Sequence, residues 1–450
     1  MKLLLASWRR PELKRRWTCG LLAASMLLFT RPAPAQDALR YSLAGDAAAE
    51  AQRQQMLVPQ LYTFKEGDFR LLAVPSLELD YNDNVTYVKN GAQSDFILKP
   101  LVQLTGSYPV TQQNLLSFSA GVGYDEYLEH SQYSAFRVNS DSLLSFDMYI
   151  KDFVIDFHDR VSYFQDPSYE PSLAGTAIYG GLMNFAGLST SWDLEDVVLT
   201  LGYDHQNFIS SSRLFSYLNQ SSELPLARAG FRFNSQLTAG IEGTASYTSY
   251  DQYVMNNNQS YSAGVYADWK PGSYLHVQPR AGYAIYQFQH TSQSAQIFDL
   301  TPSGTPIIVP VGESIQTADL STWYADLTVS HQASEAVNYS FRAGHEIRLG
   351  IQAELLEDWY FRPNIAWTIV KDLGLNTSLF YEHGNQGEGN VTGNLTETYD
   401  YYGGGLMLSY PLMKKLLLSL NYRLTLRSSD IHDREYAQNL VGIKLSYQPK

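Results

Sequence analysis

The sequence has almost no cysteine. Cys19 is the only one among 450 residues, and it lies inside an N-terminal export signal. Arg9 to Arg16 form the basic part of this signal, Leu21 to Phe29 the apolar part, and Ala33-Pro34-Ala35 a cleavage site of small residues. We therefore predict that residues 1–35 are a signal peptide. Its removal leaves a chain without a disulfide or a thiolate metal ligand.

Basic residues and long apolar runs are also scarce. No stretch after Phe29 approaches the roughly 20 apolar residues that a membrane-spanning helix needs. Residues 1–35 hold seven of the 32 Lys and Arg but only one of the 45 Asp and Glu, so the mature chain has 25 basic and 44 acidic residues. Nucleic-acid binding depends on an excess of Lys and Arg. We therefore expect no nucleic-acid partner.

Motifs of enzymes and of separate domains are missing as well. The chain has no Gly-x-Ser-x-Gly or His-Glu-x-x-His motif, no phosphate-binding loop and no dinucleotide-binding fingerprint. No linker rich in proline, serine or charge interrupts residues 68–447. We predict one continuous domain over residues 68–450. We also predict that the protein is not an enzyme and holds no cofactor and no resident metal ion.

What the chain does have is alternation with a period of two, which places one class of residue on each face of a β-strand. Every second residue from Leu416 to Leu426 is apolar, and the residues between them from Ser419 onward are polar. Leu275 to Ile285 and Val337 to Ile347 repeat the arrangement. A helix would mix these two classes on every face. The 33 tyrosines and 31 glycines also suit strands with one wet and one apolar side.

The lengths of the connections separate a membrane barrel from a soluble sandwich. Eight short links, such as Pro271-Gly272 and Lys371-Asp372, alternate with longer polar stretches, such as Gln165 to Gly181 and Thr291 to Gln316. Short turns at one rim and long loops at the other are typical of outer-membrane proteins. We predict an all-β fold, a transmembrane antiparallel up-and-down β-barrel of about 18 strands (16 to 18) with periplasmic turns and extracellular loops. The expected location is the outer membrane of a Gram-negative bacterium, among its lipids and lipopolysaccharide.

The two ends of the chain carry further expectations. Residues 36–67 precede the first strand and include the Ala- and Gln-rich stretch Ala47 to Met56, so they form either a periplasmic linker or a plug that enters the lumen. At the other end, Gly442-x-x-Leu445-x-Tyr447 resembles the signal that the outer-membrane assembly machinery reads. We expect that machinery to bind the C-terminal strand.

Extending the alternation predicts a lumen with basic and acidic residues that face one another across an aqueous pore. The predicted lumen-lining residues are Arg160, Arg228, Arg232, Arg280, Arg342, Arg362, Arg423, Arg427, Glu78, Asp125, Asp147, Asp156, Glu242, Asp268, Asp326 and Glu382. Asp156 and His158 share one face of a strand and could form a general base flanked by a carboxylate. A polar lumen wall explains them equally well, so we assign no catalytic residue.

The first predicted strand contains Pro75-Ser76 and Tyr81-Asn82-Asp83-Asn84. The cluster from Asp80 to Asn84 offers oxygen atoms to Ca²⁺, or else ends the strand and opens a turn. The segment resembles the start of the outer-membrane β-barrel porin type 2 family, whose members are often associated with exopolysaccharide production. The resemblance implies a porin-like channel for a polar solute and a role in polysaccharide export, with a polysaccharide as a partner. Two alternatives are a structural or adhesive barrel that acts through its extracellular loops, and an enzyme that modifies lipid or glycan.

Overall fold

The computed structural model describes residues 62–252, 254–289, 296–300, 306–310, 319–352, 355–387 and 396–448. These residues form antiparallel β-sheet with three short 3-10 helices. The strands, in chain order, are β1 Phe64–Glu66, β2 Phe69–Asn82, β3 Asp95–Pro109, β4 Leu115–Tyr127, β5 Ala135–Val138, β6 Leu143–Ile150, β7 Phe153–Tyr163, β8 Gly181–Asp193, β9 Val197–Ser210, β10 Gln220–Asn234, β11 Leu237–Tyr250, β12 Asn258–Trp269, β13 Leu275–Phe288, β14 Gln296–Leu300, β15 Pro306–Pro310, β16 Leu320–Gln332, β17 Val337–Leu349, β18 Leu355–Val370, β19 Leu373–Gln386, β20 Glu397–Met413, β21 Leu416–Ser429 and β22 Tyr436–Tyr447.

The sheet closes on itself into a barrel. From β2 onward, strands that follow each other in the chain pair, except that β5 and β6 do not pair with each other and that β13 pairs directly with β16. The last strand β22 pairs with β2 from Ser76↔Ser446 to Asn82↔Leu440. Strands β5 and β6 both lie between β4 and β7 and share one position, while β14 and β15 form a separate hairpin. The barrel therefore has 18 strand positions, and the predicted fold is confirmed.

The two faces of the strands differ as the alternation predicts. On β21, Leu420 is 49% exposed on the outside, whereas Ser419 and Thr425 are buried on the inside. Exposed aromatic side chains mark both ends of the apolar outer surface on three strands, at Tyr261 and Trp269, at Trp359 and Trp367, and at Tyr402 and Tyr410. At roughly 3.3 Å per residue and a tilt of about 40°, each pair spans about 20 Å, close to the ~25 Å apolar band of an outer-membrane barrel. The protein thus belongs in the outer membrane of a Gram-negative bacterium.

The predicted segments at the termini fall mostly outside the described residues. This applies to the signal peptide over residues 1–35 and to most of the segment over 36–67. The end of that segment is described: β1 forms a hairpin with the first residues of β2, with Phe64 opposite Leu71. Among the residues that the structure describes, no helix is long and apolar enough to cross a bilayer.

Candidate functional site

The inner wall of the barrel is polar and rich in hydroxyl groups. Hydroxyls on neighbouring strands bond to each other, as between Thr244 and Ser262 at 2.7 Å and between Ser409 and Ser419 at 2.9 Å. Because the inward side chains of adjacent strands stand close together, such pairs link the strands without apolar packing. These pairs satisfy part of the polar groups of a wall that can face water.

The charged residues of the wall form ion pairs along it. Arg228 and Arg280 both bond the carboxylate of Glu242 at 3.0 Å. Arg342 bonds Asp326 at 2.7 Å, and the structure also pairs Arg362 with Glu382 at 2.8 Å. These partners lie on adjacent or next-but-one strands, not on opposite walls as expected. Strands about 4.8 Å apart bring unlike charges within hydrogen-bonding distance, whereas charges facing one another across a wide aqueous pore are screened.

Other predicted residues have partners that the sequence reasoning did not single out. Their pairs are Arg232 with Asp193 at 2.6 Å, Arg427 with Glu397 at 2.7 Å, Asp125 with Arg137 at 3.2 Å, Asp268 with His276 at 2.9 Å, and Glu78 with Asn421 at 2.8 Å. Asp147 and Arg160 lie on the inward faces of β6 and β7. The alternation of inward and outward residues could have found the missed partners, because Arg137, Glu397 and His276 also lie at inward positions of their strands.

The candidate general base is enclosed between two carboxylates. His158 bonds Asp156 through Nδ1 and Asp204 through Nε2, the latter at 2.7 Å, and all three side chains are buried. Both ring nitrogens are thus occupied, so neither is free to take a proton from a substrate. The arrangement cross-links β7 to β9 over the intervening strand β8.

One long loop crosses the lumen. Residues 164–180, which we call the crossing loop, leave the barrel between β7 and β8. Glu170 in this loop makes two hydrogen bonds of 3.1 Å with Arg348 on β17. The carbonyl oxygens of Pro171 and Ser172 accept hydrogen bonds from Arg427 on β21 at 2.9 and 3.2 Å. Because Arg348 and Arg427 point inward from strands on the other side of the ring, the loop must span the interior to meet them.

Further extracellular loops fold into the mouth of the barrel. An apolar cluster, which we call the mouth cluster, joins the crossing loop to the loops after β9, β11 and β17, and Tyr217 Oη donates to the carbonyl of Ile351 at 2.8 Å. Its buried loop residues are Leu173, Tyr179, Phe215, Tyr217, Leu218, Val254, Met255 and Ile351. They pack on inward apolar residues such as Met183 and Phe208. Apolar residues at inward positions near these strand ends were the sequence signal for this closure.

The oxygen-rich residues at the end of β2 stabilise the turn that follows this strand. Asp83 accepts hydrogen bonds of 2.7 Å from the backbone and side chain of Asn439. Asn84 donates to the carbonyl of Val88, and Asp80 pairs with Lys99 at 2.6 Å. In the described part of the chain, no group of three or more His, Cys, Asp and Glu is arranged to hold a metal ion.

Comparisons with known proteins find similarity in structure but not in sequence. No family model matches the chain, and no curated protein matches it. The resemblance to the porin type 2 family therefore stays a prediction. Similar solved structures are OccK2 (OpdF) of Pseudomonas aeruginosa, with a TM-score of 0.46 and 10% identity over 84% of this chain and 97% of that chain, and OpdL of the same organism, with 0.38 and 12% over 84% and 97%. OccK2 has also been solved in complex with glucuronate.

Proposed function

We propose that this protein is a passive outer-membrane channel for a polar solute. The observation that carries the proposal is the contrast between the two faces of the barrel: apolar side chains outside, and hydroxyl, amide and ion-paired side chains inside. Barrels of 16 to 18 strands leave an aqueous channel. A barrel whose interior is filled with packed apolar side chains would not need a polar inner wall of this kind.

The crossing loop makes the proposed channel selective by size. It is held to the far wall by Arg348 and Arg427 through hydrogen bonds to Glu170, Pro171 and Ser172. Hydrogen bonds to a charged guanidinium are among the strongest in proteins, so the loop narrows the lumen as a fixed element. The solute then passes beside this loop.

The finer part of the proposal is the solute. We infer a saccharide, and a role in polysaccharide export, because a hydroxyl-rich wall suits a hydroxyl-rich solute and because Val74 to Val85 resembles the exopolysaccharide-associated family. The test is deletion of the gene in its native host. Export predicts less polysaccharide in the medium and more inside the cell envelope, whereas unchanged amounts would overturn this role and leave the channel itself untouched.

The mouth cluster favours a second candidate, an adhesive barrel that does not conduct. Leu218 and Val254 are completely buried there, and buried loops of this kind present a fixed outer surface. The two candidates differ in permeability. We expect liposomes that contain the pure protein to swell in galactose, and to swell more slowly in a trisaccharide because the crossing loop narrows the path. Liposomes that do not swell in either sugar would favour the adhesive barrel.

A further inference from the structure

One arginine of the lumen wall differs from the others. Arg423 lies on the inward face of β21 and is partly exposed, and among the described residues it has no hydrogen bond and no ion pair. Its Nε atom is buried without an acceptor. The seven other predicted arginines all have interaction partners. Within the described part of the chain, Arg423 is therefore a cation without an ion pair, although its charge acts on the nearby carboxylate of Asp80.

The nearby carboxylates bond other residues, although Asp80 Oδ1 is buried without a hydrogen-bond partner. Asp80 pairs with Lys99 at 2.6 Å, and Glu78 accepts a hydrogen bond of 2.8 Å from Asn421. The register explains why Asp80 stays in place: it lies opposite Gly442, where an added Cβ atom would come within 2.0 Å of its Oδ1 atom. Arg423 itself lies between Gly405 on β20 and Leu440 on β22.

The wall beside Arg423 is flat on one side and aromatic on the other. Gly403 and Gly405 alternate on the inward face of β20 next to Arg423 and carry no side chain into the lumen. Two residues further along β20, toward the extracellular end, Tyr401 faces inward. Tyr436 on β22 packs edge-on against Tyr87 at 5.4 Å between ring centroids. An added Cβ atom at Gly403 would meet the ring of Phe380 at 2.8 Å, whereas at Gly405 the nearest described atoms are the Ser378 hydroxyl at 3.1 Å and the Tyr422 carbonyl oxygen at 3.7 Å. The wall next to Arg423 is therefore least crowded over Gly405.

The charge of Arg423 reaches this aromatic group. Burial raises the pKa of Tyr87 well above its usual value, the carboxylate of Asp166 raises it further, and the positive charge of Arg423 opposes both. Tyr87 donates to Asp166 at 2.7 Å, which ties it to the crossing loop. Arg427, four residues further along the same inward face of β21, bonds the crossing loop, so Arg423 lies on the stretch of wall next to that loop.

We propose that Arg423 is the anion-binding residue of the lumen and takes the carboxylate or sulfate group of an acidic saccharide. A guanidinium group offers paired N–H donors that match the two oxygens of such a group. A cation that is partly withdrawn from water and lacks a counter-ion gains more from this contact than the wall arginines, whose donors already serve Glu242, Asp326 or Glu382. This inference rests on the proposed channel function and names the solute class for it.

Calorimetry on the folded, detergent-purified protein tests the site. The probes are galacturonate and galactose 6-sulfate, and galactose is the uncharged control sugar. The variants are Arg423→Gln and, as a matched control, Arg228→Gln, which leaves Glu242 paired with Arg280. We expect both anionic sugars to bind the parent at least about tenfold more tightly than galactose, an advantage of about 1.4 kcal/mol. Arg423→Gln should remove this advantage, and Arg228→Gln should keep it.

Two results would overturn the inference. One is equal affinity for galacturonate, galactose 6-sulfate and galactose in the parent. The other is an anion advantage that survives in Arg423→Gln, or that Arg228→Gln loses to the same extent. Calorimetry measures binding without current or permeation. A protein that binds anions through Arg423 but does not conduct would therefore contradict the channel proposal and still support this binding site. A conducting protein without the anion advantage would do the reverse.

Discussion

Glu170 and Arg348 are joined by two hydrogen bonds of 3.1 Å although 178 positions separate them in the chain. Arg348 also bonds Asp358 at 2.6 Å, so it remains paired when Glu170 is replaced. This contact fixes the crossing loop to the far wall of the barrel.

The first prediction concerns this contact. Glu170→Gln loses the charge that Arg348 recognises, and breaking a buried ion pair costs about 3–5 kcal/mol. We expect the loop to be held less tightly, although the bonds from Arg427 to Pro171 and Ser172 still tie it to the far wall, and we expect the single-channel conductance to rise while the barrel itself stays assembled. Glu223→Gln on the outer surface, where the carboxylate is partly exposed, is the control and should conduct like the parent. Equal conductance of the parent and Glu170→Gln would show that the loop does not set the width.

The second prediction concerns the two faces of β21. Leu420→Arg places a charge among the lipids and should destabilise the barrel by roughly 2–4 kcal/mol near the midplane. Asn421→Arg, one residue away, points inward next to Glu78 and should be tolerated. Heat-modifiable gel mobility and urea unfolding in lipid measure both. Similar stability of the two variants would mean that the faces are wrongly assigned.

The third prediction concerns the pore charge. Replacing both Arg280 and Arg423 by Glu reverses two inward charges and leaves Glu242 with Arg228 alone. Because fixed charges set the potential inside a narrow polar pore, we expect ion selectivity to shift toward cations. The reversal potential in a salt gradient measures the shift. Arg232→Glu, at the periplasmic end of β10, is the control. An unchanged reversal potential in the double variant would place the current path away from this wall.

The fourth prediction concerns the mouth cluster. Cys19 is the only cysteine of the sequence, so in a chain that begins at residue 36, Val254→Cys, at a completely buried position, gives a single labelling site. We expect this thiol to resist an external maleimide. Adding Leu218→Ser removes apolar contacts, at a cost of about 2–5 kcal/mol for a buried leucine, and should speed labelling at least tenfold. Adding Leu201→Ser, on the outer surface, is the control. Fast labelling without Leu218→Ser would mean that the mouth cluster does not bury Val254.

The sequence predicted the barrel because alternation and connection length are local signals. Within each strand, the alternation of apolar and polar residues shows which side chains face lipid, as Leu420 and Ser419 illustrate. Short turns make strands that follow each other in the chain neighbours in the barrel. The crossing loop was predicted only as a long connection. Its contacts join Glu170 to Arg348 and Ser172 to Arg427, and nothing near these residues in the chain specifies partners so far away.

The charged residues show what the alternation along a strand cannot predict. It placed Arg228, Glu242 and Arg280 on the inner face, but it does not indicate which carboxylate each arginine bonds. The register decides this, because it sets Arg228 directly opposite Glu242. The same register leaves Arg423 between Gly405 and Leu440, so no acid lies directly opposite it. No periodic pattern distinguishes Arg423 from the other seven arginines.

Conductance in planar bilayers tests the central claim most directly. Three proteins are compared: the mature chain, taken to begin after the predicted signal peptide at residue 36, a variant of it whose residues 167–177 are replaced by a short Gly-Ser link, and a variant without residues 36–61. A polar lumen of 18 strands predicts stepwise current from the mature chain, and a larger step when the crossing loop is shortened. If residues 36–61 plug the lumen, current appears only in the variant that lacks them. Correctly folded barrels that stay silent in all three forms would contradict the channel.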